Sequence, residues 1–189
     1  MRPEELIKAK LTKPHYEIWQ ELRGEFIYPL NTVEKNDYKS ISKTKTFIPA
    51  SSDREFVYSQ LSKNIENACI KLRRHGLFTK EMFFFLKSQE FKYYGMELKL
   101  SRTVSVPQDI LHVVSQHFNE VYKPKVMYRS TGIILMKLSN EDTATLDLFG
   151  QSVHTENIKA IYEEVDKMAK KFGKHSVFLG SSFKAMKNQ

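Results

Sequence analysis

The chain has 189 residues, 41% of them hydrophobic and 12% aromatic, with 30 basic against 22 acidic side chains and a single cysteine. That composition suits one domain of ordinary size with appendages, and it excludes global disorder. No run approaches the roughly 20 apolar residues of a membrane-spanning helix. The opening Met1-Arg2-Pro3-Glu4-Glu5 is too acidic for a signal peptide, and one thiol can neither staple a fold nor build a cysteine zinc site. A reduced, cytoplasmic protein without a membrane partner is expected.

The net charge of +8 is unevenly placed. Residues 1–38 carry 6 basic and 7 acidic side chains, residues 39–139 carry 17 and 8, and residues 140–189 carry 7 and 7. An excess confined to the middle segment is what a surface directed at phosphates would produce, although a solvated basic surface without a partner gives the same count.

Residues 1–24 read as a short helical piece with Ile18, Trp19 and Leu22 as apolar anchors, ending at Arg23-Gly24, where glycine suits a helix C-terminus. Residues 25–38 mix Pro29, Asn31, Asn36 and Asp37 without periodicity and read as a linker. From Lys39 to Ile48 (KSISKTKTFI) the β-branched and aromatic content predicts a strand stopping at Pro49. Ser52-Asp53-Arg54-Glu55 fits a capping box. Behind it Val57, Leu61, Ile65, Ala68 and Leu72 recur at helical spacing, with Arg73, Arg74 and His75 before Gly76 at the negative end of the helix dipole.

Two further strands are expected at 79–88 and 95–104; Met96, Leu98 and Leu100 alternate with Glu97, Lys99 and Ser101, as in a sheet covered on one side. Pro107 and Asp109 open a second helix through Ile110, Val114, Phe118 and Val121. A last strand spans 126–138, with Gly132 a candidate bulge. The order β-α-β-β-α-β predicts an α+β fold: a four-stranded antiparallel sheet with both helices on one face and the other face open. On that scheme the first and third strands are neighbours.

No catalytic constellation emerges. The six histidines include no i, i+4 pair flanking a glutamate, none of the seven glycines forms a phosphate-cradling loop, and Cys69 falls beside the apolar stripe of a helix. The adjacent pairs Glu141-Asp142 and Glu163-Glu164 read as solvated. Ser42, Lys43, Thr44 and Lys45 on the first strand, with Lys99, Ser101 and Arg102 on the third, instead combine long cations with hydroxyls, the mixture that contacts sugar-phosphate backbones. With those strands adjacent, the two clusters could form one stripe on the open face; separate surface lysines on an ordinary sheet are the alternative, and strand register decides whether Lys43 and Lys45 point with Lys99 or away from it. Base stacking is poorly supported, because the third strand as read carries no aromatic residue.

These residues resemble a known family. Trp19 to Gly24 (WQELRG), Lys39 to Phe47 (KSISKTKTF), Lys99 to Thr103 (KLSRT) and Thr145 to Phe149 (TLDLF) are similar, in that order, to the end of the thumb, two little-finger strands and the clamp-binding pentapeptide of Y-family translesion DNA polymerases, in the UmuC (ImpB/MucB/SamB) branch. The tail from Ile161 to Leu179 also resembles that branch.

The resemblance implies the end of a thumb helix at 1–24, a linker at 25–38, a DNA-binding little finger at 39–139, and a clamp-binding motif with a tail at 140–189. It implies primer-template DNA as partner, a bacterial β sliding clamp docked through Thr145, Leu146, Asp147, Leu148 and Phe149, and UmuD-like accessory subunits and a recombinase filament in an SOS response. Thr145 stands where the family has glutamine, which should weaken docking. Magnesium and the catalytic carboxylates belong to a palm domain with no counterpart in residues 1–24, so this segment is expected not to polymerise alone and to hold no cofactor. The rival readings are a stand-alone nucleic-acid- or clamp-binding module, and a small phosphoryl or acyl hydrolase on the same sheet.

Overall fold

The computed structural model describes residues 5, 10–30, 32, 38–140 and 151–187, without the side chains of 151–156. The chain divides into two compact units, Met1–Lys35 and Asn36–Gln189. In the first, helix α1 (Lys13–Leu22) begins with Pro14 in its first turn and ends at Arg23, followed by Gly24 at φ +88°. Trp19 stacks on Tyr16 at 5.6 Å, with the Arg23 guanidinium 4.8 Å from its ring. The other two expected anchors do not anchor: Ile18 is 51% and Leu22 82% exposed.

The second unit is built from β1 (Ile41–Ser51), α2 (Arg54–Arg74), β2 (Thr79–Ser88), β3 (Tyr93–Val104), α3 (Pro107–Val121), β4 (Tyr128–Met136), α4 (Gln151–Phe172) and α5 (Phe183–Lys187), with a 3-10 turn at Gly180–Ser182. The fold class is the one the element order predicts, an antiparallel four-stranded α+β sheet with α2 and α3 on one face. The core explains why. Met82, Phe84 and Leu86 alternate along β2 and meet Leu98, Met96 and Tyr94 of β3 and Leu135, Ile133 and Thr131 of β4. Onto that layer α2 places Val57, Leu61, Ile65, Ala68 and Leu72, and α3 places Ile110, Val114, Phe118 and Val121, all in one buried cluster. Each of these side chains larger than alanine contributes roughly 1.5–3 kcal/mol by leaving water.

The strand order is β1-β4-β2-β3. This corrects the expected adjacency of the first and third strands: β1 and β3 are the two outer strands, with β4 and β2 between them. Three local expectations are also corrected. Strand β1 continues past Pro49 to Ser51, shifting register against β4 between Thr46 and Ser51; a proline without an N–H is tolerated because the outer side of β1 has no ladder to feed. Asp53, not Ser52, caps α2, its carboxylate accepting from the backbone N–H of Glu55 at 2.9 Å and of Phe56 at 3.3 Å. Gly132 lies in a regular ladder opposite Thr44 and Phe85 rather than in a bulge. A Cβ there would stand 2.4 Å from Cζ of Phe85, so glycine makes room for that ring.

The C-terminal elements pack on α2 through a polar seam. Ser182 Oγ donates to Glu66 Oε1 and lies 2.9 Å from Ser62 Oγ, and the Ala185 N–H donates to Ser59 Oγ at 2.9 Å. Arg73 forks onto both oxygens of Asp166 in α4, at 2.7 and 2.8 Å, and reaches the carbonyl of Ser105. The cation expected to complement the dipole of α2 thus holds two helices together.

Candidate nucleic-acid interface

Alternation along paired strands decides which side chains reach the open face. On β4 and β2 these are Ser130, Gly132, Ile134 and Met136, opposite Lys87, Phe85, Phe83 and Glu81. On β1, Ser42 pairs with Ile134, Thr44 with Gly132 and Thr46 with Ser130, so a row of three exposed hydroxyls borders the face on one side. On β3, Lys99 pairs with Glu81, Glu97 with Phe83, Gly95 with Phe85 and Tyr93 with Lys87, so Lys99 and then Ser101, both exposed, border it on the other.

The remaining expected contacts do not join that face. Lys43 and Lys45 pair with Ile133 and Thr131, whose side chains are buried towards the helices, so both lysines leave β1 on its helix-covered side. Ile41 and Phe47 occupy the same side of the strand and fill the core, which ties the two lysines between them to that direction. Burial lowers the pKa of Lys43, and so do Lys71, Lys174 and Arg74 around it. Arg102 pairs with Asp109 at the start of α3, Nη2 to Oδ2 at 3.0 Å, rather than standing with Lys99. The single stripe expected from seven residues is therefore two borders, Ser42 and Thr44 on one and Lys99 and Ser101 on the other. Residues Thr145, Leu146, Asp147, Leu148 and Phe149 lie outside the described residues.

The structure also adds aromatic residues that the sequence reading passed over. Phe83 and Phe85 stack at 6.1 Å in the middle of the open face, and Tyr93 meets Phe85 at 5.4 Å. At one end Lys87 Nζ lies 4.7 Å from the Tyr93 ring and 5.0 Å from Phe91, which Arg129 also covers at 4.7 Å. The signal was present in Met82-Phe83-Phe84-Phe85-Leu86, where one face of the strand must take positions 83 and 85 and the other 82, 84 and 86. Phe85 is only 8% exposed, wedged over Gly132 and Gly95, so it serves as floor more than as a free stacking platform.

Between Glu81 at one end and Lys87 and Ser130 at the other, the two central strands thus offer Phe83, Phe85, Gly132 and Ile134, which carry no side-chain donor or acceptor for base edges, and further polar groups stand along the outer strands. Three strand spacings of about 4.8 Å place β1 and β3 about 14 Å apart, close to the roughly 12 Å opening of the major groove of B-DNA. Elsewhere in the unit, Cys69 is fully buried, which pushes its thiol up to about 12 and rules it out as a nucleophile at neutral pH. Among the described residues no group of three or more His, Cys, Asp or Glu could hold a metal ion, and no helix is long and apolar enough to cross a membrane.

Residues 38–148 match a family model described as the impB/mucB/samB family C-terminal domain. Among curated proteins the chain is similar to a DNA polymerase IV of Clostridium acetobutylicum, 23% identical over 89% of this chain and 42% of that protein. It is also similar to a DNA polymerase IV of Acetivibrio thermocellus, 24% identical over 93% of this chain and 45% of that protein. The chain spans less than half the length of these relatives. Among solved structures, a Y-family DNA polymerase chimera aligns over 70% of this chain and 37% of its own, with 16% identity and a TM-score of 0.46.

Proposed function

The chain belongs to the impB/mucB/samB family, whose C-terminal domain it carries at residues 38–148, and we propose that this domain grips the backbone of duplex primer-template DNA with the two outer strands of its sheet. The observation that carries the reading is the division of the open face, with hydroxyls and a cation along its two outer strands and an apolar centre of Phe83, Phe85 and Ile134 between them. Ser42 and Thr44 of β1 would donate to phosphate oxygens of one DNA strand, and Lys99 and Ser101 of β3 to those of the other. Phe83, Phe85 and Ile134 would close over the groove without reading bases. Such contacts set register and orientation and carry no sequence code, which suits an enzyme that must accept a distorted template.

The wider reading is that the segment belongs to an error-prone translesion polymerase acting in SOS damage tolerance. Its polymerising chemistry, with magnesium held by palm carboxylates, would lie outside this segment. Leu146, Leu148 and Phe149, flanked by Thr145 and Asp147, would tether it to a β sliding clamp, raising the local concentration of a weakly held primer end. UmuD-like subunits and a recombinase filament would be its accessory partners.

Fluorescence anisotropy of a labelled primer-template duplex across a salt series tests the grip. Changing Ser42, Thr44, Lys99 and Ser101 together to Glu is expected to lower affinity at least tenfold and to shallow the salt slope by about 1 for the lost cation. Equal binding by that variant, or an equal loss on changing Lys123 and Lys125 of the α3–β4 turn to Glu, contradicts it.

A further inference from the structure

We propose that the groove between β1 and α2, on the helix-covered side of the sheet, is a second nucleic-acid site that takes a single strand. It is separate from the open face and rests on different side chains.

The site is built from two antiparallel rows. Along α2, Lys63, Asn67, Lys71 and Arg74 are spaced by four, four and three residues, so they share one stripe of the helix. At 1.5 Å per residue that stripe is about 16 Å long. Strand β1 runs back alongside it, and Lys43 and Lys45 leave the strand on the same side as the stripe. Lys45 interacts with Lys63 at one end, and Lys43 with Lys71 and Arg74 at the other. Lys174, just beyond α4, adds a further cation beside Lys43.

Around Lys43 no acid among the described residues balances the cations. Nothing among the described residues raises the pKa of Lys43, and its three charged neighbours are all cations. At the other end Lys63 has Glu66 as an acidic neighbour, and its Nζ donates to the Ala185 carbonyl at 3.4 Å, so the uncompensated cations are those around Lys43. Holding like charges together in a partly buried groove costs free energy, and a polyanion is the counterpart that removes the cost.

A single strand fits better than a duplex. The cations form one narrow lane between a helix and a strand edge, whereas a duplex presents two phosphate ridges about 12 Å apart. The lane also carries an aromatic ring: Tyr38 lies under Lys71 Nζ at 4.5 Å and against His75 at 4.6 Å. A cationic track beside a ring on which a base can stack is the recurring arrangement of single-strand sites. Lys71 would move from the ring to a phosphate as a base takes its place. At 3.4 Å per stacked nucleotide the lane accommodates about five phosphates.

The test uses the full chain, a labelled oligo(dT) of about 12 nucleotides, within the usual size range of single-strand sites, and the primer-template duplex, each titrated by anisotropy across salt. Changing Lys71, Arg74 and Lys174 together to Gln is expected to weaken oligo(dT) binding at least tenfold, to shallow its salt slope by about 2 at 0.7 per lost contact, and to leave duplex binding within twofold. Changing Lys99 and Ser101 to Glu should do the reverse, which separates failure here from failure of the duplex reading. Tyr38→Leu, which removes no charge, should weaken oligo(dT) with the slope unchanged. The assignment is overturned if the Gln variant binds oligo(dT) like the parent, if it loses both ligands in equal proportion, or if polyglutamate competes as well as the oligonucleotide.

Discussion

Glu66 is a carboxylate on a packed helix face, 7% exposed, between α2 and the C-terminal turn. Burial raises its pKa above the ordinary 4.5, against the pull of hydrogen bonds from Ser182 and the Leu179 N–H and of the charges on Lys63 and Arg73. The folded state holds this proton more tightly than the unfolded chain, so Glu66 favours folding most below about 4.5, and that contribution is lost as pH rises through the folded-state value. Glu66→Gln has no such proton to lose. In urea unfolding at a series of pH values, the stability of the parent relative to the variant should grow between pH 7 and about 5. A gap that stays constant or narrows on acidification would show that the carboxylate is not desolvated by its setting. Other residue-scale features were readable in advance: the buried stripe of α2, Cys69 within the core, and Pro107 at the first position of α3. The polar seam of Ser59, Ser62 and Glu66 was not, because it depends on a C-terminal turn 113 to 126 residues away in sequence.

Two glycines let strands and rings approach across the open face. At Gly95 a Cβ would stand 2.6 Å from Cζ of Phe83 and 2.8 Å from the backbone oxygen of Phe84. A ring can swing aside, whereas the Phe84 carbonyl belongs to the backbone of the central strand β2 and cannot retreat without disturbing the ladder. Gly95→Ala gains about 0.4–1 kcal/mol from a stiffer unfolded chain and loses about 1–3 kcal/mol to overpacking, so the overpacking wins. The urea midpoint should fall at unchanged m-value, and an unchanged or higher midpoint would mean the strands are looser than their geometry. Element type and order were legible because β2, β3 and the helices carry clear periods of two and of 3.6. Strand order was not, since β1 meets β4 across some ninety residues and no local pattern records that pairing. The direction of Lys43 and Lys45 was legible after all: they share parity with Ile41 and Phe47, the two large apolar residues of β1 that fill the core. Reading the lysines as a cluster, rather than by parity with their neighbours, left their face undecided.

For the whole molecule, the uneven charge acquires three destinations instead of one. Part of the excess in residues 39–139 borders the open face at Lys99, part lines the lane between β1 and α2, and part is spent internally, as at Arg73 on Asp166 and Arg102 on Asp109. A count of lysines cannot distinguish these fates, whereas register and ion pairing can. The proposed grip puts β1 and β3 over different strands of one duplex. It is tested by anisotropy with duplexes whose phosphates are replaced by neutral methylphosphonates on one strand at a time, read against Lys99→Ala and the double change Ser42→Ala, Thr44→Ala. Neutralising one strand should abolish the effect of Lys99→Ala and leave that of the β1 variant intact, and neutralising the other should do the opposite. If both variants respond to the same strand, or if every loss simply adds to every other, the two outer strands do not straddle the groove.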